Sequence, residues 1–115
     1  MSEISCDVIV IGAGPAGEVA AGRLADGGLE VVVVENHLVA GECSYYACMP
    51  SKALLRPGDL IDEARRIPGV KEAVTGDIDV ASALARRDEV IHDLDDSVQL
   101  PWLEDKGIRL VRGSG

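Results

Sequence analysis

A chain of 115 residues holds one domain at most, with a modest core. It is 47% hydrophobic and 27% charged, with no apolar run near the ~18 residues a membrane span needs, which is the composition of a soluble globular protein. A net charge of −9 argues against a polyphosphate backbone as partner, and 3% aromatic residues leave no stacking platform for single-stranded nucleic acid.

The opening "MSEISCDVIVIG" has no basic n-region, and its apolar run is too short for a signal peptide. With three cysteines and no secretion signal, the expected compartment is the reducing cytoplasm, where a cysteine pair is more often catalytic or metal-binding than structural. Cys6, at a strand start, reads as a small apolar residue.

Val8 to Ile11 is a β-branched run, the pattern of a strand buried on both faces. "GAGPAG" follows at once, with glycines at 12, 14 and 17, and then "EVAAGRLADGG", a helix that Gly27-Gly28 ends. A second β-branched run, Val31 to Val34, stops at Glu35. The order is strand, glycine turn, helix, strand, acid. Gly12 permits the tight turn, Gly14 lets backbone approach a diphosphate, and Gly17 lets the helix pack close to the strand. Backbone N–H groups and the helix dipole hold the diphosphate, so an acidic protein can bind it without a basic patch. Glu35, 23 residues after Gly12, is placed to accept a ribose hydroxyl and would repel a 2′-phosphate, so FAD or NAD fits and NADP does not.

"GECSYYACMPSK" puts Cys43 and Cys48 five positions apart. In a regular helix such residues have Cα atoms about 8.7 Å apart. A disulfide wants about 4.4–6.8 Å, so a bonded pair excludes regular helix there. Pro50 lacks an N–H and fits a first helical turn, so regular helix is expected to start near Pro50, with the cysteines on an irregular approach to its N-terminus. Positive helix ends stabilise thiolates, and Lys52 adds a positive charge nearby. The pair reads as a redox disulfide. Two inert buried thiols are the other reading; a metal site finds only two ligands in this spacing and no further cluster.

Downstream, "SKALL" begins a helix that Pro57-Gly58 is expected to kink, with Asp59 capping its continuation through "LIDEARRI". Asp79 reads as the N-cap of a longer helix whose apolar side is Val80, Leu84, Val90, Ile91 and Leu94. The charges at Arg86 to Glu89 and Asp93 to Asp96 read as its solvated face. Trp102 is expected to pack, and "GIRLV" from Gly107 reads as a third strand. His37 reads as a surface loop residue and His92 as a helix-surface residue.

"DVIVIGAGPAG", Glu35 and "GECSYYACMPSK" together resemble the N-terminal part of the flavin-dependent disulfide reductases, the pyridine nucleotide-disulfide oxidoreductases. The likeness is strong from Asp7 to about Leu55 and weaker beyond. It implies an α/β fold: a Rossmann-like FAD-binding βαβ unit with parallel strands and two further helices, incomplete as a domain. Residues 1–115 would be the N-terminal portion of the FAD-binding domain, with the NAD(P) and dimerisation domains absent. No second GxGxxG and no terminal His-Glu pair is present, so a nicotinamide site and the family's base are expected elsewhere.

The resemblance implies that Cys48 lies against the flavin as the charge-transfer thiol and that Cys43 is the interchange thiol that attacks substrate. Lys52 would sit near the reactive flavin nitrogen, and Gly115, at the end of the third strand, near the adenine. The expected cofactor-binding set is Gly12, Ala13, Gly14, Pro15, Ala16, Gly17, Glu35, Asn36, Gly41, Glu42, Cys43, Lys52 and Gly115, with no metal. The full enzyme would be a homodimer without nucleic-acid or membrane partners, passing electrons from NAD(P)H through FAD to Cys43–Cys48 and on to a small-molecule disulfide, dithiol or similar acceptor. The 115-residue piece alone would lack turnover. Ala40 stands where the family usually has glycine, Glu42 where it has a small residue, and Ser44-Tyr45-Tyr46-Ala47 where it has Leu-Asn-Val-Gly. An FAD-dependent oxidase or monooxygenase segment, or a non-catalytic dinucleotide-binding module, are the alternatives.

Overall fold

In the computed structural model, which describes residues 2–115, three parallel strands form one sheet in the order β1-β2-β3. β1 (Val8–Ile11) pairs with β2 (Val31–Glu35), Val8 opposite Val31, and β2 pairs with β3 (Arg109–Arg112), Val32 opposite Arg109. The helix α1 (Pro15–Asp26) crosses from β1 to β2 and carries Pro15 in its first turn, where a missing N–H costs nothing. Alternation along the strands sends Val31, Val33 and Val10 to one face, where Ala21 of α1, Leu103 of α4 (Leu100–Asp105) and Ile108 complete the main core. Trp102 packs on that core as expected, with its ring against Gly22 of α1.

On the other face β2 is covered at Val32 but β1 is bare. Ile9 is 59% and Ile11 69% exposed on β1, so β1 is not buried on both faces as its composition predicts. The helices α2 (Cys48–Arg66) and α3 (Val80–Val90) pack on each other and run out from the sheet. The radius of gyration is accordingly 19.9 Å, against about 13 Å for a compact chain of this length.

α2 begins at Cys48, two residues before the expected start, and Pro50 lies in its first turn. No break occurs at Pro57-Gly58: the helix runs through, and Asp59 sits inside it instead of capping a new segment. The reason lies in α3. Pro57 has no N–H to give the Ala53 carbonyl, and Arg86 Nη1 donates to that carbonyl from the neighbouring helix at 3.4 Å. Arg86 thus reaches α2 with its guanidinium while remaining exposed, as a residue of the solvated face.

Asp79 caps α3 as its position predicts, its carboxylate accepting the Ser82 N–H at 3.1 Å. The helix is shorter than its apolar pattern, however. It ends at Val90, and His92, Asp93 and Leu94 follow with φ of 51°, 51° and 63°. Ile91 alone of the predicted stripe is buried, in a small second cluster with Ala40 and Tyr45, and His92 lies past the helix. The acidic run beyond is not merely a solvated face either: Asp96 accepts the Val39 N–H at 2.7 Å and pairs with Arg112 at 2.6 Å. α4 adds a third helix to the two expected after β2. The α/β architecture with parallel strands is as the sequence implies.

Candidate functional site

The glycine turn is built by close packing. A Cβ on Gly17 would lie 1.8 Å from the Gly12 carbonyl oxygen, so α1 meets the end of β1 at a distance only glycine permits, and Gly12 takes φ 96° to make the turn. Gly14, by contrast, has nothing within 4 Å of where a Cβ would be: its side of the turn is open. Ala13 between them is buried, and Pro15 and Ala16 form the exposed first turn of α1.

Glu35 ends β2 and is only 7% exposed. Its Oε2 accepts the Ala13 N–H at 2.7 Å and its Oε1 the His37 N–H at 2.7 Å, so one carboxylate ties the glycine turn to the loop leaving β2. Each oxygen keeps a free lone pair. That loop is held from its far side too, where Arg112 Nη1 donates to the His37 carbonyl at 2.8 Å and to Asp96. The pairing with Arg112 holds the Asp96 carboxyl below its ordinary range.

The chain then returns to the turn. Ala40 N–H donates to the Ala13 carbonyl at 2.8 Å, and Gly41 approaches so near that its Cβ would lie 3.1 Å from the Gly14 Cα. Ala40 holds φ 75°, a conformation natural to the glycine that the resembled family usually has there. Gly14, Glu35, Asn36, Gly41 and Glu42 thereby line one cleft of about 400 Å³, together with His37, Leu38 and Tyr46. A smaller hollow of about 140 Å³ opens across the strand ends between Gly12, Asn36 and Gly115, and Asn36 Nδ2 reaches Ser114 Oγ at 3.4 Å. Clefts at the carboxyl ends of parallel strands are where open α/β sheets bind ligands.

The two cysteines stand beyond Gly41. Glu42–Tyr46 is a wide π-type turn closed by Ala47 N–H donating to the Glu42 carbonyl at 2.6 Å, and Ala47 itself is non-helical, with φ −126° and ψ −83°. Cys43 lies in the turn and Cys48 is the first residue of α2, so the irregular approach expected from the spacing holds for Cys43 but not for Cys48. The i→i+5 closure of the turn brings the two positions near each other, and both side chains are free thiols, with Cys48 close enough to act on the Cys43 thiol. That contact with Cys48 raises the Cys43 thiol above its ordinary value; desolvation and Glu18 act the same way, and Lys52 opposes them.

The structure brings most of the predicted site together. Gly12 and Gly115 line the smaller hollow beside the cleft, and Lys52, though its charge reaches Cys43, lines a third with Met49, Arg56 and Arg86. Sequence reading missed four participants. His37 and Tyr46 wall the cleft, Tyr46 Oη meeting His37 Nδ1 at 3.0 Å. Arg112 braces the loop from 75 positions away, and burial raises the carboxyl of Glu18, in the first turn of α1. No local pattern marks any of these. Among the described residues, no group of three or more His, Cys, Asp or Glu could hold a metal ion, and no helix is long and apolar enough to cross a membrane.

Residues 6–109 match the family described as pyridine nucleotide-disulphide oxidoreductase. This chain belongs to that family. It is 36% identical over 107 residues to a dihydrolipoyl dehydrogenase of Halobacterium salinarum, covering 93% of this chain and 22% of the relative. It is 27% identical over 114 residues to a mercuric reductase of Lysinibacillus sphaericus, covering 98% and 21%. Among solved structures it resembles the HOCl-induced flavoprotein disulfide reductase RclA of Escherichia coli, with a TM-score of 0.67 and 26% identity over 92% of this chain and 21% of that one. The chain thus spans about a fifth of the length of these oxidoreductases.

Proposed function

We propose that this chain is the N-terminal FAD-binding and redox-disulfide part of an NAD(P)H-dependent flavoprotein disulfide reductase. The observation that carries the reading is the π-type turn: it sets Cys43 against Cys48 at the N-terminus of α2, next to a cleft built by the glycine turn and Glu35. The bare Ile9 and Ile11 face and the extended shape support further chain completing the domain.

The residues fit the dinucleotide. Gly14 leaves its side of the turn open for a diphosphate, backbone N–H groups of the α1 N-terminus point there, and Glu35 retains lone pairs for ribose hydroxyls. Gly41 and Glu42 face the same cleft, and Gly115 closes the strand ends. The buried Glu35 carboxylate disfavours a 2′-phosphate. Bound FAD would supply the two-electron relay between a nicotinamide and the disulfide.

This chain's own part is thiol chemistry. Two electrons and one proton from solvent break the Cys43–Cys48 bond, leaving a thiol and a thiolate. Cys43, deprotonated, attacks one sulfur of an acceptor disulfide, forms a mixed disulfide and releases the first thiol. Cys48 then attacks the Cys43 sulfur, releases the second thiol and restores the pair, so the two electrons end on the acceptor. Homodimerisation and a cytoplasmic setting complete the proposal.

Absorbance spectra of the two-electron-reduced full-length protein test it. With Cys43→Ser, a long-wavelength charge-transfer band is expected to persist because Cys48 remains against the flavin. With Cys48→Ser, the band should vanish while Cys43 stays open to alkylation. Turnover by both variants at the native rate would refute the role of the pair, and full flavin retention after Gly14→Val would refute the cleft.

A further inference from the structure

The cleft and the cysteine turn share one physical connection that the proposed chemistry does not use. Tyr46 is the last residue of the turn, three positions after Cys43 and two before Cys48. Its hydroxyl meets His37 Nδ1 at 3.0 Å, and the two rings pack edge to face with centroids 5.5 Å apart and planes at 71°. Both residues line the cleft together with Gly14 and Glu35.

The two partners are not equally held. The His37 backbone is pinned on both sides, its N–H to Glu35 and its carbonyl to Arg112. Tyr46 is 45% exposed, and its far side borders a second hollow of about 470 Å³ with Tyr45, Pro50, Ile91 and Leu94. The Tyr46 ring therefore has room to leave His37.

We propose that Tyr46 is a positioning residue: an adenosine diphosphate group in the cleft holds its ring on His37 and thereby fixes the turn that presents Cys43. This rests on the reading of the cleft as a dinucleotide site. The edge-to-face contact and the hydrogen bond are each of a strength that shifts an equilibrium by about threefold to tenfold.

The test uses the full-length protein, stripped of flavin and reduced, with ADP as the probe. Calorimetry measures ADP affinity, and mass spectrometry follows the rate at which Cys43 is alkylated. In the native protein ADP is expected to slow alkylation by about threefold to tenfold. In Tyr46→Ala and His37→Ala the slowing should disappear even at ADP concentrations that calorimetry shows to saturate each variant. Tyr46→Phe keeps the ring and its packing, so it should retain part of the slowing and guard against a folding defect in the alanine variants. Equal slowing in the native and Tyr46→Ala proteins, or ADP binding to native protein without slowing, overturns the link and leaves the dinucleotide site standing. Native protein that binds no ADP overturns both.

Discussion

The Glu35 carboxylate holds the glycine turn in place through the Ala13 N–H, which it accepts at 2.7 Å, while its other oxygen takes the His37 N–H. The residue proposed to take a ribose is thus also a fold-forming clasp. Glu35→Gln would set an amide NH₂ against one of these backbone donors in a site 7% exposed. The expected cost is about 1–3 kcal/mol, read from urea unfolding, with a parallel loss of flavin affinity in the full-length protein. An unchanged unfolding midpoint would show that the clasp is slack.

The glycines of the turn should separate by role. Gly17→Ala pushes a methyl into the Gly12 carbonyl and forces α1 away from β1, at an expected cost of about 1–3 kcal/mol or more. Gly14→Ala meets nothing within 4 Å, so stability should hold while flavin retention falls. Thermal melts and flavin content of the two purified variants distinguish these effects; equal destabilisation by both would contradict the geometry.

Arg86 and Pro57 should be coupled. Arg86→Ala leaves the Ala53 carbonyl without a donor and is expected to destabilise by about 1–2 kcal/mol. In a Pro57→Ala background the helix regains its own N–H for that carbonyl, so the same substitution should cost much less. A double-mutant cycle in urea measures the difference, and strict additivity would rule the coupling out.

The Asp96–Arg112 pair gives a pH dependence of definite sign. Arg112 and the Val39 N–H hold the folded Asp96 carboxyl below the ordinary 3.8, so its contribution is present above that value and lost as pH falls through the folded one. Asp79 and Asp95, also lowered by their Ser82 and Ser97 N–H bonds, act in the same direction. Unfolding midpoints should therefore decline below about pH 4, and less steeply in Asp96→Asn. A variant curve parallel to the native one would exclude Asp96 as a contributor.

Cys43 in the reduced protein should react slowly with iodoacetamide at neutral pH, because Cys48, burial and Glu18 all raise its thiol above the ordinary 9.0. Cys48→Ala removes the largest of these influences and Glu18→Gln a smaller one, so both should move the pH–rate curve of Cys43 downward. Lys52→Met should move it upward. An unchanged curve in Cys48→Ala would mean that the two thiols do not meet.

What the sequence determined by itself is the part that is local. Glycine spacing, β-branched runs and an acid at fixed distance describe a βαβ unit because each acts within a turn or a strand, and Cys43, Cys48 and Pro50 announce an irregular turn before a helix for the same reason. The tertiary structure decided what depends on partners far along the chain. Pro57 does not break α2, because Arg86 from α3 supplies the missing donor. Asp96 is an anchor, because β3 brings Arg112 beside it. Tyr46 and His37 become one wall only when Ala40 and Gly41 fold the chain back onto Ala13 and Gly14. Periodicity cannot record such meetings, since nothing in a residue's neighbours fixes which distant side chain the sheet will carry to it.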